Sequence, residues 1–205
     1  MAARTLTFWD VDTQVDFMLP TGKLYVPGAE KLIPNLRRLM QAAQQQRILV
    51  ISSADCHAED DEEFRLYPPH CLAGTPGQQK LPETLLPHRF TIPNRPTPLP
   101  AQLTDYQQII LEKAHFDVFT NPNCQALLQQ LGREREFVLF GVVTEICVAY
   151  AVRGLRERGY PVRLARDATQ GLDEAKAQSL FAEILTAGGK LVTTEEVLRS
   201  ASEQK

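Results

Sequence analysis

The amino-acid sequence predicts an α/β protein: three layers, α/β/α, around a central, mainly parallel sheet of about six strands with Rossmann-like layering. Three observations carry that expectation. Short apolar runs alternate with stretches of helical period along the chain, which is the pattern of strands joined by helical crossovers. Several of the runs are continuously apolar, as in strands covered on both faces. The length of 205 residues suits one core rather than two, so 1–205 reads as one domain with an irregular loop region at about 54–100.

Thr5 to Val11 is the first predicted strand. After the break at Pro27-Gly28, Ala29 to Gln46 places Leu32, Ile33, Leu36, Leu39, Met40 and Ala43 on one helical stripe. Arg47 to Ser53, with the run Ile48-Leu49-Val50-Ile51, is the second strand. Periodicity then fails across the loop region, which holds most of the prolines, an acidic run from Glu59 to Glu63 and the turn signal Thr75-Pro76-Gly77. A stretch that long without regular structure is functional or disordered, and its histidines and aromatics favour function. Gln107 to Leu111 is the next strand, Cys124 to Leu131 a helix and Phe137 to Val142 a buried strand. A helix over Thr144 to Glu157, a strand at Val162 to Ala165, a helix over Asp173 to Ala187, the short strand Lys190-Leu191-Val192 and a helix over Thr194 to Arg199 complete the order.

The formal charge of −3 argues against a nucleic-acid binder, which carries a basic face. No 18-residue apolar run is present, and Met1-Ala2-Ala3-Arg4 leads into a strand-like segment without a secretory apolar stretch. A cytoplasmic protein without membrane association is therefore expected. Cys56, Cys71, Cys124 and Cys147 are expected to be thiols. Cys56 and Cys71 lack the Cys-x-x-Cys spacing of a structural zinc site, and each adjoins a histidine that is the better ligand.

In parallel sheets, working residues collect beyond the carboxyl ends of the strands. Asp12, Asp55, Lys113 and the segment Val143 to Cys147 fall at such ends. In the first turn of its helix, Cys147 would feel the positive end of the helix dipole, which favours a thiolate, and amides of that turn can hold an oxyanion. The plainer alternative is a small core residue. Pointing inward, Lys113 would favour the thiolate; pointing outward, it is an ordinary surface lysine. Asp12 can take a thiol proton and return it to a leaving amine, or it can cap a loop through backbone amides, a task open to Asp16 as well. Asp55 and His57 stand two apart and can face one cation, His70 comes from the same loop, and Glu63 is a candidate fourth ligand. Carboxylates with two imidazoles suit zinc, manganese or iron(II) better than magnesium or calcium. Asp60, Asp61 and Glu62 read as a solvated loop, and His88 and His115 as surface or loop residues.

Taken together, Asp12-x-Gln14-x-Asp16-Phe17, the lysine after a strand and Gly141 to Cys147 resemble the isochorismatase-like cysteine hydrolases. The stretch Tyr67-Pro68-Pro69-His70-Cys71-Leu72-x-Gly74-Thr75-Pro76-Gly77, with Asp55-x-His57 upstream, is similar to the metal loop of the nicotinamidases within that superfamily. The resemblance spans nearly the whole chain. It implies a catalytic triad of Asp12, Lys113 and Cys147, and one divalent transition metal held by Asp55, His57, His70 and Glu63, with zinc first and manganese or iron as alternatives. It also implies a cis peptide at Val142–Val143, an oxyanion hole from the amides of Val143 and Cys147, and a pocket lined by Phe17 and Tyr67. The implied activity is hydrolysis of nicotinamide to nicotinate and ammonia in NAD salvage. A ureido or carbamoyl compound is the alternative small-molecule amide, and a non-catalytic binding protein the alternative class. Tyr67 stands where tryptophan is common and Ile146 where histidine is frequent, so the pocket wall departs from the nicotinamidase pattern. Such proteins range from monomers to larger assemblies, which leaves a homo-oligomer open.

Overall fold

The computed structural model describes residues 4–203; Met1, Ala2 and Ala3, used above in reading the amino terminus, lie outside the described residues. Seven strands, β1 (Thr5–Val11), β2 (Val50–Asp55), β3 (Arg89–Ile92), β4 (Gln108–Lys113), β5 (Arg135–Val142), β6 (Val162–Gln170) and β7 (Lys190–Val192), form one sheet. The order is β3-β4-β2-β1-β5-β6-β7, and every pairing is parallel. The α-helices are α1 (Val15–Met18), α2 (Ile33–Gln46), α3 (Cys124–Leu131), α4 (Ala149–Glu157), α5 (Glu174–Thr186) and α6 (Thr194–Ser202).

Strand pleating sends alternate residues to two cores. In β5, Val138, Phe140 and Val142 pack with Leu36, Leu39 and Met40 of α2 and Val197 of α6. Phe137 and Leu139 point the other way, toward Leu127 of α3, Val152 and Leu155 of α4 and Leu180 of α5. Local chemistry sets the helix ends: Thr193 and Glu196 form a reciprocal capping box at α6, and the Asp173 side chain accepts from the Lys176 amide at α5.

The sheet has one strand more than the apolar runs indicate. β3 is a four-residue edge strand, Arg-Phe-Thr-Ile, with Arg89 and Thr91 exposed and Ile92 buried. Four residues with two apolar side chains are too short a run to stand out from the surrounding loop, and short edge strands are one way sheet edges resist unwanted pairing. β2 starts later than expected and runs on through Ser52, Ser53, Ala54 and Asp55, all buried. Those polar residues are hidden from a hydrophobicity reading because their partners lie on other strands. Ser52 Oγ donates to Asp10 (3.0 Å) and Ser53 Oγ to Asp12 (2.6 Å). β6 likewise continues past Ala165 to Gln170, with an irregular register opposite β5 between Leu139 and Gly141. Among the described residues, no helix is long and apolar enough to cross a membrane.

Candidate active site

Parallel register does most of the assembly. Asp55 and Lys113 are the last residues of β2 and β4 and lie directly opposite each other. Asp12 follows β1, with φ of 48° turning the chain out of the sheet. Val11, just before it, pairs with Ser53 on one side and Gly141 on the other. Gly141 has φ of 114°, and a Cβ there would sit 2.0 Å from the Val11 carbonyl oxygen. Only glycine permits that approach.

From β5 the chain passes through a cis peptide at Val142–Val143, as the resemblance implies, into a π-helical turn, Thr144–Val148, that leads directly into α4. The Ile146 and Val148 amides both donate to the Val143 carbonyl, at 3.0 and 3.1 Å. The expected helix over 144–157 is thus continuous, but its first turn is wider than an α-turn, a feature frequent at functional sites.

Cys147 Sγ lies 3.8 Å from Lys113 Nζ, which is 2.9 Å from Asp12 and also pairs with Asp55. All four side chains are buried. Burial opposes the charge on Lys113, but Asp12 and Asp55 outweigh it and hold the ammonium well above its ordinary pKa. Burial pushes Cys147 well up; Lys113 opposes this, while Asp12 and Asp55 add to it. Burial and the two carboxylates thus oppose a thiolate, and Lys113 favours it. Burial also raises Asp12, with Lys113 opposing, which makes it a better proton acceptor than an ordinary aspartate.

The metal-ligand candidates converge next to this cluster. One bridge pairs His57 with Leu72: the His57 amide donates to the Cys71 carbonyl (3.1 Å) and the Ala73 amide to the His57 carbonyl (3.0 Å). This closes the loop and brings His70 beside His57, with ring centroids 4.8 Å apart. Ligand atoms of Asp55, His57 and His70 lie within 4.8 Å of one another. Asp55 Oδ2 is 3.8 Å from His57 Nε2 and 3.9 Å from His70 Nε2, and Glu63 approaches His70 Nε2 to 3.7 Å. The Nδ1 atoms are engaged elsewhere, with Asp61 for His57 and the Pro68 carbonyl for His70, both at 2.9 Å. Each Nε2 is thereby turned inward, and that of His57 is buried without a hydrogen-bond partner. A buried, unpartnered imidazole nitrogen beside a carboxylate oxygen and a second imidazole fits a transition metal.

Asp12, Phe17, Asp55, Glu63, Tyr67, His70, Val143 and Cys147 line one cavity of about 530 Å³, mouth included, with His57 and Lys113 buried behind them. Its remaining wall is apolar: Leu24, Tyr25, Val26, Phe116, Val142, Ile146 and Leu172. Tyr25, Phe116 and Leu172 escaped the sequence reading. They follow β1, β4 and β6, and the rule that sites form beyond strand ends was the available signal. Asp61 is a correction: it contacts His57 and caps the turn carrying Glu63, so it is not merely a solvated loop residue. Gln14 holds both backbone groups of Asp55, accepting from its amide at 2.7 Å and donating to its carbonyl at 2.8 Å. Asp16 accepts from the Lys23 and Cys71 amides, the loop-capping task open to it. His88 and His115 are exposed, and all four cysteines are free thiols.

The chain is similar to known proteins in sequence and in fold. The isochorismatase domain matches residues 10–196. PncA of Bacillus subtilis, an uncharacterized isochorismatase family protein, is 27% identical over 186 residues, 86% of this chain and 94% of the relative. The zinc complex of the Pyrococcus horikoshii pyrazinamidase superposes with a TM-score of 0.74 at 25% identity, over 92% of this chain and 98% of that one. The Thermoplasma acidophilum N-carbamoylsarcosine amidase shares the fold at 22% identity and a TM-score of 0.72, over 93% and 96% of the two chains. With its sheet order, its cluster of Asp12, Lys113 and Cys147 and a domain match over most of its length, the chain belongs to the isochorismatase family.

Proposed function

We propose that this chain is a metal-dependent cysteine amidohydrolase that converts nicotinamide to nicotinate and ammonia. The observation that carries the reading is the single cavity in which Cys147, Asp12, Asp55, His70 and Glu63 meet an otherwise apolar, aromatic wall. A flat heteroaromatic amide suits that wall, with Phe17 and Tyr67 as ring contacts. The likeness to a zinc-bound pyrazinamidase supports the same substrate class.

Asp12 takes the Cys147 proton as sulfur attacks the carboxamide carbon. The carbonyl oxygen becomes an oxyanion, held by the amides of Val143 and Cys147. When that intermediate collapses, the C–N bond breaks and ammonia leaves with the proton from Asp12. Asp12 then deprotonates a water that attacks the thioester, which releases nicotinate and returns the proton to sulfur. Lys113 holds Asp12 in place and offsets charge as sulfur becomes anionic. Asp55, His57, His70 and Glu63 would hold the metal, zinc first, whose chemistry is to anchor a ring nitrogen as a Lewis acid.

Purified chain with added zinc is expected to release ammonia from nicotinamide, and Cys147→Ala to lose at least about a hundredfold of that rate. Full activity in the alanine variant would rule the mechanism out. Ile146 and Tyr67 favour a second reading, a cysteine hydrolase of a ureido or carbamoyl compound. Ammonia release from carbamoyl substrates, but not from nicotinamide, is the result that would select it. The non-catalytic alternative predicts release from neither. In both catalytic readings the partner is a small-molecule amide. Assembly as a homo-oligomer and a cytoplasmic setting are proposed with the function, on the family resemblance.

A further inference from the structure

The Asp61 carboxylate divides its two oxygens between two different candidate metal ligands. Oδ2 lies 2.9 Å from His57 Nδ1. Oδ1 accepts from the Glu63 amide at 2.9 Å and caps the turn Glu62–Arg65. The same turn carries Phe64, whose ring packs on both imidazoles, at centroid distances of 5.3 Å from His57 and 5.7 Å from His70. An ionised carboxylate only accepts hydrogen bonds, so His57 Nδ1 must carry the proton in this contact. In the neutral, metal-binding form of the ring, the lone pair is then left to Nε2, the buried nitrogen that has no partner. One side chain thus fixes the tautomer and rotation of one ligand and the backbone position of another. The carboxylate itself keeps only 14% of its side-chain surface exposed.

We infer that Asp61 is a positioning residue for the metal centre, a carboxylate bracket that orients His57 and Glu63 without binding the ion itself. The inference rests on the metal-site part of the proposed function and extends it to a residue within the acidic run. Outer partners of this kind typically change metal affinity by 10–100-fold.

The test is zinc affinity, measured by competition with a chromogenic chelator on the full chain after metal has been stripped. Asp61→Asn keeps an oxygen for the Glu63 amide but removes the charge facing His57, and zinc should bind about 10–100-fold more weakly. Asp61→Ala, which gives up both contacts, should bind more weakly still. In a His57→Ala background, Asp61→Asn should add little further loss, because its partner is already gone. Unchanged affinity in Asp61→Asn would overturn the proposal. So would an equal proportional loss with and without His57, since a residue that merely held the turn would behave that way. If the unaltered chain takes up no zinc, the metal-site reading itself fails before any variant is compared. Melting curves of the stripped proteins confirm that each variant is folded.

Discussion

Cys147 lies in a buried cluster whose charges bear on how it is activated. Without the metal, a thiolate would join Asp12 and Asp55 as a third anion around Lys113 in a buried space. Its pKa lies well above the ordinary thiol value of 9.0, burial being the largest cause. A raised thiol pKa keeps the group neutral through the neutral range and charges it only in alkali. In metal-stripped protein, alkylation of Cys147 by iodoacetamide should therefore rise about tenfold per pH unit from neutrality past pH 9. A rate already at its plateau below pH 7 would mean a preformed thiolate, and Asp12 would then not be needed to remove the proton. At this scale the sequence was informative where residue type alone restricts the chemistry, as with Asp12, Asp55, His57, His70, Lys113 and Cys147. It was silent on Phe116 and Leu172, whose types are common and whose place in the cavity wall depends on loop paths.

The segment after β1 works as a clamp on the loop after β2. Gln14 occupies both backbone groups of Asp55 and also donates to the Gln78 carbonyl at 2.7 Å. Asp16 receives the Cys71 amide and fills the space beside Gly77, where a Cβ would come within 2.2 Å of its carboxylate. In Gln14→Glu the two donated bonds become contacts between a carboxylate and carbonyl oxygens. The expected cost is about 1–3 kcal/mol, measured by urea unfolding, because a buried acceptor is left without its donor. A loss below about 0.5 kcal/mol would show that the clamp does not hold the loop. Element order and most element types were legible, since continuous apolar runs and helical stripes report burial directly. The missed end of β2 comes from strand residues that satisfy themselves by hydrogen bonds, and the missed β3 from its being a four-residue edge strand.

Across the molecule, a second buried network lies beneath the site and joins β1, β2 and β4 to the proline-rich crossover. Lys80 Nζ is 3.0 Å from Asp10 and donates to the Ser53 carbonyl at 3.0 Å. Thr13 bonds Asp10 and Thr84, while Gln108 bonds Ser52 and the Thr84 carbonyl, all four contacts at 2.8 Å. Lys80→Met would leave Asp10 buried without its cation. Breaking such a pair from one side costs about 3–5 kcal/mol, seen as a lower urea midpoint at unchanged slope. A loss under about 1 kcal/mol would mean the hydroxyls of Thr13 and Ser52 suffice. None of this network was legible in the sequence, because it joins segments far apart in the chain through residue types that are common.

The order of strands also has a temporal meaning. Every strand on the β2 side of β1 comes from the chain before residue 114, and every strand on the β5 side from after residue 134. Asp12, Asp55 and Lys113 belong to the earlier part, Cys147 to the later. The β1–β5 pairing is the seam between them. During refolding, the buried environment of Cys147 cannot exist until that seam has closed, however early either part acquires its own strands and helices. Protection of this one sulfur is therefore a clock for the meeting of the two halves.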